Sequence, residues 1–468
     1  MERDADAHVD AADPCLISTT ALREVHRHAR HSIYVGSGAC GWVWAGAERS
    51  TLVLGPPRSG KTSSLVIPNI LLSQGPVVST STKPDVMRAT ASSRRGDGWA
   101  FLYDPSGEVA CPRGVERVGW SPLTTASSWD AAVVTADAMV GASRVNGSRV
   151  GEHHWTERAG ALLSTLLHAA AREQLTMGDV LRWIDRHDGA AALEILASGA
   201  GEDTPATNLL GGIVATDPRE QSGIWSTTSG VLAAYRTEGA LASTRLPPLD
   251  LDEFCGGPHT LYICSTGRQQ RQFAPLVVGT IGDVRDAAYV RARDGLGGPP
   301  TLLALDEVAN IAPIPDLPAM VSEGAGQGLL VLACLQDLSQ ARGRWGQAAD
   351  GFLSLFGTTV VLRGIADTST LRDISALAGD REVEATTVSR AVDRWGRLRP
   401  SVSVGSGRET RLPVDAVARG APGRALVLGP HKEVEQVRLT PAHEHSPWRE
   451  LVGSGRQPAR GDAPPRAR

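Results

Sequence analysis

Short apolar runs, each closed by glycine, proline or charged residues, recur along the chain at Thr51–Leu54, Pro76–Thr80, Trp99–Tyr103, Thr260–Cys264, Thr301–Leu305, Leu329–Leu335 and Thr358–Leu362. Runs this short with little polar alternation predict strands buried on both faces, the habit of a parallel sheet. Between several of them the period lengthens to that of a helix. A helix is predicted over Lys61–Leu72, and Phe273, Leu276, Val277, Ile281, Val284 and Ala288 share one face after Cys264. The segments separating the last three runs are long enough for crossover helices. The pattern predicts an α/β fold.

From about residue 123 to 245 the strand texture disappears. Leu162, Leu163, Leu166, Leu167 and Ala170 recur at helical spacing, and Asp179 is placed to cap a turn that presents Leu181 and Ile184. An all-α domain inserted into the α/β core follows. The expected division is an N-terminal extension at 1–33, poorly ordered, and the first part of the α/β domain at 34–122. The inserted domain then takes 123–247, the second part of the α/β domain 248–447, and a disordered Gly-, Pro- and Arg-rich tail 448–468.

The chemistry sits at the ends of the predicted strands. Gly55-Pro56-Pro57-Arg58-Ser59-Gly60-Lys61-Thr62 matches G-x-x-x-x-G-K-[ST] between a strand and a helix. In that motif glycines let backbone amides wrap phosphates, the lysine reaches the outer phosphates and the hydroxyl holds Mg2+. Lysine occurs here only at positions 61, 83 and 432, so a chance match is rare. A phosphate loop needs an acidic partner on a buried strand tip, and Thr301–Leu305 runs directly into Asp306 and Glu307. Asp306 is expected to hold the metal, and Glu307 to polarise an attacking water as general base. Gln336, at the end of Leu329–Leu335, is the candidate reader of the γ-phosphate. The implied cofactors are ATP and Mg2+, in a P-loop domain that carries the all-α insertion.

Composition changes this picture little. At 468 residues and 41% hydrophobic content the chain can bury a large core and suggests two or three domains. The 47 basic and 51 acidic residues nearly balance, so contact with nucleic acid would come from local patches. One such stretch holds Arg390, Arg394, Arg397, Arg399, Arg408 and Arg411 around Trp395, against Asp393 and Glu409. A solvated hairpin accounts for the same residues. Cys15, Cys40, Cys111, Cys255, Cys264 and Cys334 show no metal or disulfide spacing, which fits a reducing cytoplasm. His26, His28 and His31 read as a solvated basic helix before a metal site. No run approaches the ~18 apolar residues of a membrane span.

These pieces, in this order, resemble the coupling proteins of type IV secretion and conjugation. The most specific are Leu65-Val-Ile-Pro68-Asn69-Ile70, then Leu305-Asp-Glu-Val-Ala-Asn-Ile311 running on to Gly326-Gln-Gly-Leu329, and Cys334-Leu-Gln-Asp-Leu-Ser-Gln340. Weaker ones are Trp120-Ser-Pro-Leu123, Trp155 opening the first long insertion helix, and Asp373-Ile-Ser-Ala-Leu-Ala-Gly379. The resemblance implies a RecA-like P-loop nucleotide domain bearing the all-α domain, in a DNA-translocase-type motor assembled as a homo-hexamer with ATP at subunit interfaces. Its substrates would be single-stranded DNA with relaxase-type or other secreted proteins, delivered to membrane-embedded channel components. A translocase pulling duplex DNA in chromosome partition and a nucleotide-organised substrate receptor are the rival readings.

The chain departs from the family in three places. Family members usually begin with transmembrane helices, so a cytoplasmic chain held at the inner face of the plasma membrane by a partner is expected, or a start that is truncated or divergent. Where some relatives carry an arginine finger this sequence reads Gly324-Ala-Gly-Gln-Gly328, leaving Arg342, Arg344, Arg363 and Arg372 as candidates. The acidic residue usual after the second strand is replaced within Ser79-Thr-Ser-Thr-Lys83-Pro-Asp85, where Lys83 would face the nucleotide.

Overall fold

A computed structural model describes residues 31–39, 41–143, 152–198, 204–265, 270–392, 398–431, 433–444 and 446–453. The expectations for His26, His28, Asp393, Arg394, Trp395 and Arg397 fall outside the described residues.

The strands, in chain order, are β1 Tyr34–Gly38, β2 Gly41–Trp44, β3 Thr51–Leu54, β4 Val77–Ser81, β5 Ala100–Tyr103, β6 Glu116–Arg117 and β7 Thr260–Cys264. They continue with β8 Thr301–Leu305, β9 Leu329–Leu335, β10 Thr358–Leu362, β11 Asp380–Val392, β12 Leu398–Thr410, β13 Arg424–Leu428 and β14 Val434–Arg438. All but β11 and β12 join one sheet, in the order β2-β1-β14-β13-β10-β3-β9-β8-β4-β7-β5-β6. The block from β10 to β6 is parallel throughout. The remaining four strands extend it antiparallel. Each apolar run read from the sequence forms one of these strands.

Both faces of the sheet are buried, and successive residues serve opposite cores. Leu52 and Leu54 of β3, Leu303 and Leu305 of β8, and Val331, Ala333 and Leu335 of β9 join the core that continues into the helical insertion. Val53, Leu302, Ala304, Leu332 and Cys334 point to the other core, with Leu65, Val66 and Ile70 of the helix after β3. Period two along each strand fixes this partition.

Among the described residues between Trp129 and Ser243 the regular elements are helices. Trp129–Ser143 precedes Glu152–Arg172, so a substantial helix lies ahead of the one that Trp155 was expected to open first. Leu162, Leu163, Leu166, Leu167 and Ala170 are all buried, as their spacing predicted. Asp179, the third residue of the helix Met177–Arg186, closes a capping box: Thr176 is the N-cap, and its N–H and hydroxyl both donate to the Asp179 carboxylate. The two weaker tryptophan signals have a packing explanation. A Cβ on Gly279 would lie 2.3 Å from the Trp120 ring and one on Gly223 2.4 Å from Trp155, so each indole fills a notch that only glycine leaves open.

Pro68 does not end its helix. A wider turn, Thr62–Val66, precedes Ile67–Leu72, and the Ile67 N–H donates to the Thr62 carbonyl five residues back. That turn opens the backbone ahead of the proline ring and absorbs its missing donor. Asn69, one residue on, uses its whole amide: Oδ1 accepts from Tyr34 N–H at 2.7 Å, and Nδ2 donates to the Tyr34 and Leu65 carbonyls at 2.9 Å. The helix after β3 is thereby fastened to β1.

The expected disorder from residue 448 is corrected at its start. Trp448–Gly453 is helical, Trp448 is buried, and its indole stacks on Trp42 at 5.1 Å between ring centroids. One aromatic residue contributes enough apolar area to order a short helix that composition alone reads as tail. Ile33 is likewise buried, inside the span expected to be poorly ordered.

At the opposite edge of the sheet from the strand tips, Arg94 is fully buried at the end of the helix Asp85–Arg94. Its guanidinium donates to Thr260 Oγ1 at 2.8 Å and to the carbonyls of Ser73, Gly75 and Pro258. Burial pushes its pKa down. The fork closes the turn before β4 onto the turn before β7, and no sequence pattern marked it. Arg94→Lys should fail to replace it, since an ammonium lacks the planar fork. Removing the guanidinium strands buried carbonyls at about 1–3 kcal/mol each, so both Arg94→Lys and Arg94→Met should show a clearly lowered unfolding midpoint in a thermal melt.

Candidate functional site

The parallel block sends the ends of β3, β9 and β8 to one edge, side by side. After Leu54 the chain makes the predicted phosphate loop. The Gly55 N–H donates to the Leu335 carbonyl at 3.1 Å, which seats the loop on the end of β9. A Cβ at Gly55 would stand 2.8 Å from Ser59 Oγ and 2.9 Å from the Leu362 side chain. Arg58 at φ 62° and Gly60 at φ 97° turn the backbone through left-handed space. The amides that open a helix have no intrahelical acceptor and are the donors that a phosphate-binding loop uses. Ser59 Oγ is buried without a hydrogen-bond partner.

Lys61 is buried, and its Nζ donates across the loop to the carbonyls of Gly55 and Pro56, the latter at 3.0 Å. Thr62 Oγ1 donates to Asp306 Oδ2 at 2.7 Å. Asp306, at the tip of β8, is buried, its N–H donates to the Thr80 carbonyl at 3.3 Å, and its carbonyl accepts from Thr80 Oγ1 at 3.4 Å. Burial raises the carboxyl above the usual carboxylate range, opposed by the Thr62 hydrogen bond and the Lys61 charge. A hydroxyl and a carboxylate that meet beside a phosphate cradle are the hard oxygen donors that suit Mg2+. The residues present therefore fit both nucleotide and metal.

Glu307 follows in left-handed conformation, φ 52° and ψ 48°, and is half-buried. Its Oε2 accepts from Asn310 Nδ2 at 3.2 Å. The third tip carries Gln336, half-buried, whose N–H is held by Gln340 Oε1 at 2.9 Å. Lys83 lies exposed just beyond the end of β4, two strands away from β9.

Downstream of Gln336 a continuous set of hydrogen bonds leads away from the site. Asp337 caps the helix Leu338–Trp345, the Leu338 N–H donates to Thr370 Oγ1 at 3.0 Å, and Thr370 Oγ1 donates to Asp367 Oδ2 at 2.5 Å. Arg342 reaches Asp350 at 3.2 Å and also pairs with Asp367 and Asp373. The helix Thr368–Ala378 passes straight into the ribbon β11–β12. Ser375 Oγ donates to the Leu412 carbonyl at 2.6 Å and the Arg411 N–H to the Gly379 carbonyl at 2.9 Å, clamping the foot of the ribbon from both strands.

These contacts sort the arginine candidates. Arg342 is committed to three carboxylates, and Arg344 donates to the carbonyls of Gly141 and Ala142 at the end of the first insertion helix. Arg363 and Arg372 are exposed, and Arg363 follows directly on β10, the strand beside β3. Sequence reasoning missed Asn310, although its spacing of three from Glu307 was visible within the quoted block.

Comparison with known proteins agrees with this architecture. A family model described as the TraM recognition site of TraD and TraG matches residues 300–418. No curated protein matches the chain. Among solved structures, the unbound monoclinic form of the bacterial conjugative coupling protein TrwBdeltaN70 superposes with a TM-score of 0.64 at 17% identity, covering 90% of this chain and 92% of that one. The plasmid coupling protein TrwB in complex with ADP and Mg2+ gives 0.62 at 18% identity, over 94% of each chain. Its complex with the non-hydrolysable ATP analogue ADPNP gives 0.61 at 17% identity, over 91% of this chain and 92% of that one. The RecA-like fold with an all-α domain, and the resemblance to type IV coupling proteins, are both borne out.

Asp306 yields a test that needs no turnover. Because its folded pKa is raised, the stability linked to its proton is present below the ordinary carboxylate range and is lost as pH rises through the raised value. At neutral pH Asp306→Asn should therefore melt a few degrees above the wild type without ligand, while losing the extra stabilisation that Mg2+ with ATP gives the wild type. An unchanged midpoint together with an unchanged Mg2+ effect would contradict the assignment.

Proposed function

We propose that this chain is a coupling protein of type IV secretion, an ATPase that moves single-stranded DNA, or protein, into a conjugation channel. The observation that carries the proposal is the meeting of three strand tips at one edge: the phosphate loop after β3, Asp306 and Glu307 after β8, and Gln336 after β9, with Thr62 and Asp306 already 2.7 Å apart. In this reading Lys61 leaves the Gly55 and Pro56 carbonyls for the outer phosphates of ATP, and Thr62 and Asp306 hold Mg2+, which neutralises phosphate charge when bound. Glu307 takes the proton of the attacking water. Gln336 senses the γ-phosphate.

The path from Gln336 through Thr370 and Arg342 to the foot of the β11–β12 ribbon supports a coupled motor rather than a nucleotide-stabilised receptor. Loss of the γ-phosphate would be passed as a shift of the helix Thr368–Ala378, a packed element with a defined set of partners. The match of residues 300–418 to a TraM recognition site supports recruitment of a protein partner through the same half of the chain. The division into nucleotide-binding parts at 34–122 and 248–447 around an all-α domain at 123–247 belongs to this proposal, as do a homo-hexameric ring and attachment to the inner membrane face through a partner. No helix among the described residues is long and apolar enough to cross a membrane.

Steady-state ATP hydrolysis, with and without single-stranded DNA, tests the proposal. Single strands should raise turnover more than duplex does, and Glu307→Gln should lower it by about 10²–10⁴-fold, the range of a general base. Tight nucleotide binding with no turnover under either condition would favour the receptor, and stimulation by duplex alone would favour a translocase of chromosome partition.

A further inference from the structure

Asn310 stands three residues after Glu307. It lies in the one-turn helix Val308–Ile311, whose N-cap is Glu307 in left-handed space. Non-glycine residues hold that conformation only where the surroundings over-determine it. Here the surroundings are visible. The Glu307 carbonyl accepts from both the Asn310 N–H at 2.9 Å and the Ile311 N–H at 3.2 Å. The Asn310 side chain then returns to the same residue, its Nδ2 donating to Glu307 Oε2 at 3.2 Å. Val308 and Ile311, on either side, are anchored in the core, so the turn cannot swing independently of β8.

We propose that Asn310 is a positioning residue for the hydrolytic carboxylate. Its amide occupies Oε2 and turns the carboxylate as a unit, so that Oε1 is the oxygen left for a water. A neutral donor suits this place: Asp306 lies directly before Glu307 in the chain, and a carboxylate at position 310 would set a third negative charge beside those two. The contact also sets the direction in which Glu307 can be released, because rotation toward a bound nucleotide must break or carry the Asn310 hydrogen bond. This inference rests on the ATPase reading, and it adds a residue whose removal leaves the phosphate loop and the metal ligands intact.

The test compares full-length wild type, Asn310→Ala, Asn310→Asp and Asn310→Gln for kcat, KM and the affinity for ADP with Mg2+. Asn310→Ala and Asn310→Asp should lower kcat by about ten- to hundredfold, the worth of a hydrogen bond to a charged group, with nucleotide affinity and melting temperature held near wild type. Asn310→Gln, which keeps the donor, should recover part of the rate. In a Glu307→Gln background the Asn310→Ala change should lower the residual rate no further, since the two residues act as one unit.

A normal kcat in Asn310→Ala and Asn310→Asp, beside a Glu307→Gln that is inactive, would overturn the inference and leave the ATPase reading standing. So would a loss of rate matched by equal losses in nucleotide affinity and melting temperature, which marks a merely structural residue. A wild type without turnover would overturn both.

Discussion

The hydrogen bond from Thr62 to Asp306 joins residues that are 244 positions apart and belong to strands that are not neighbours. β9 stands between β3 and β8, so the bond spans two inter-strand spacings, about 10 Å of sheet. Thr62 can reach only because the loop after β3 curls over the end of β9 and is held there by the Gly55 N–H on the Leu335 carbonyl. The parallel order of the sheet, the left-handed turns at Arg58 and Gly60, and the burial of Asp306 all serve that one meeting. A carboxylate this deeply buried is tolerable because a hydroxyl, a nearby ammonium and the Thr80 contacts surround it.

The same edge explains how the rest of the chain attaches. The wide turn before Pro68 and the Asn69 amide tie the helix after β3 to the antiparallel strands on one side. On the other side, the loop after β9 runs through Thr370, Asp367 and Arg342 to the ribbon. Arg342 serves as a structural hub for three carboxylates, a use of arginine's fork that differs from a transition-state contact. The segment Gly324-Ala-Gly-Gln-Gly328 makes a short turn that ends at Gly328 in left-handed space just before β9, a local reason for glycine where some relatives place an arginine.

Much of this was legible in the sequence because the signals were local. Buried parallel strands have no polar alternation, and so Thr51–Leu54, Thr301–Leu305 and Leu329–Leu335 could be read to their ends. The phosphate loop and the Asp306-Glu307 pair likewise carry their chemistry in adjacent residues. What stayed hidden depends on contacts distant in sequence. Arg94 binds carbonyls from two separate turns, and Asn69 works only because β1 lies against it. The antiparallel strands β1, β2, β13 and β14 lack the uniform apolar run, since none of them is buried along its whole length. Trp448 looked like part of a polar tail until Trp42 supplied its partner. Asn310 was within reach of a spacing argument, but its meaning required the left-handed turn at Glu307.

The central claim is that this strand edge binds nucleotide through Lys61 and through Mg2+ held by Thr62 and Asp306. Calorimetric titration of ATP into the full chain, with Mg2+ and then with the metal chelated, tests it most directly. The account predicts saturable binding that weakens markedly on chelation and is abolished in Lys61→Ala. Binding that is indifferent to both Mg2+ and Lys61→Ala, or no binding at all, would contradict it.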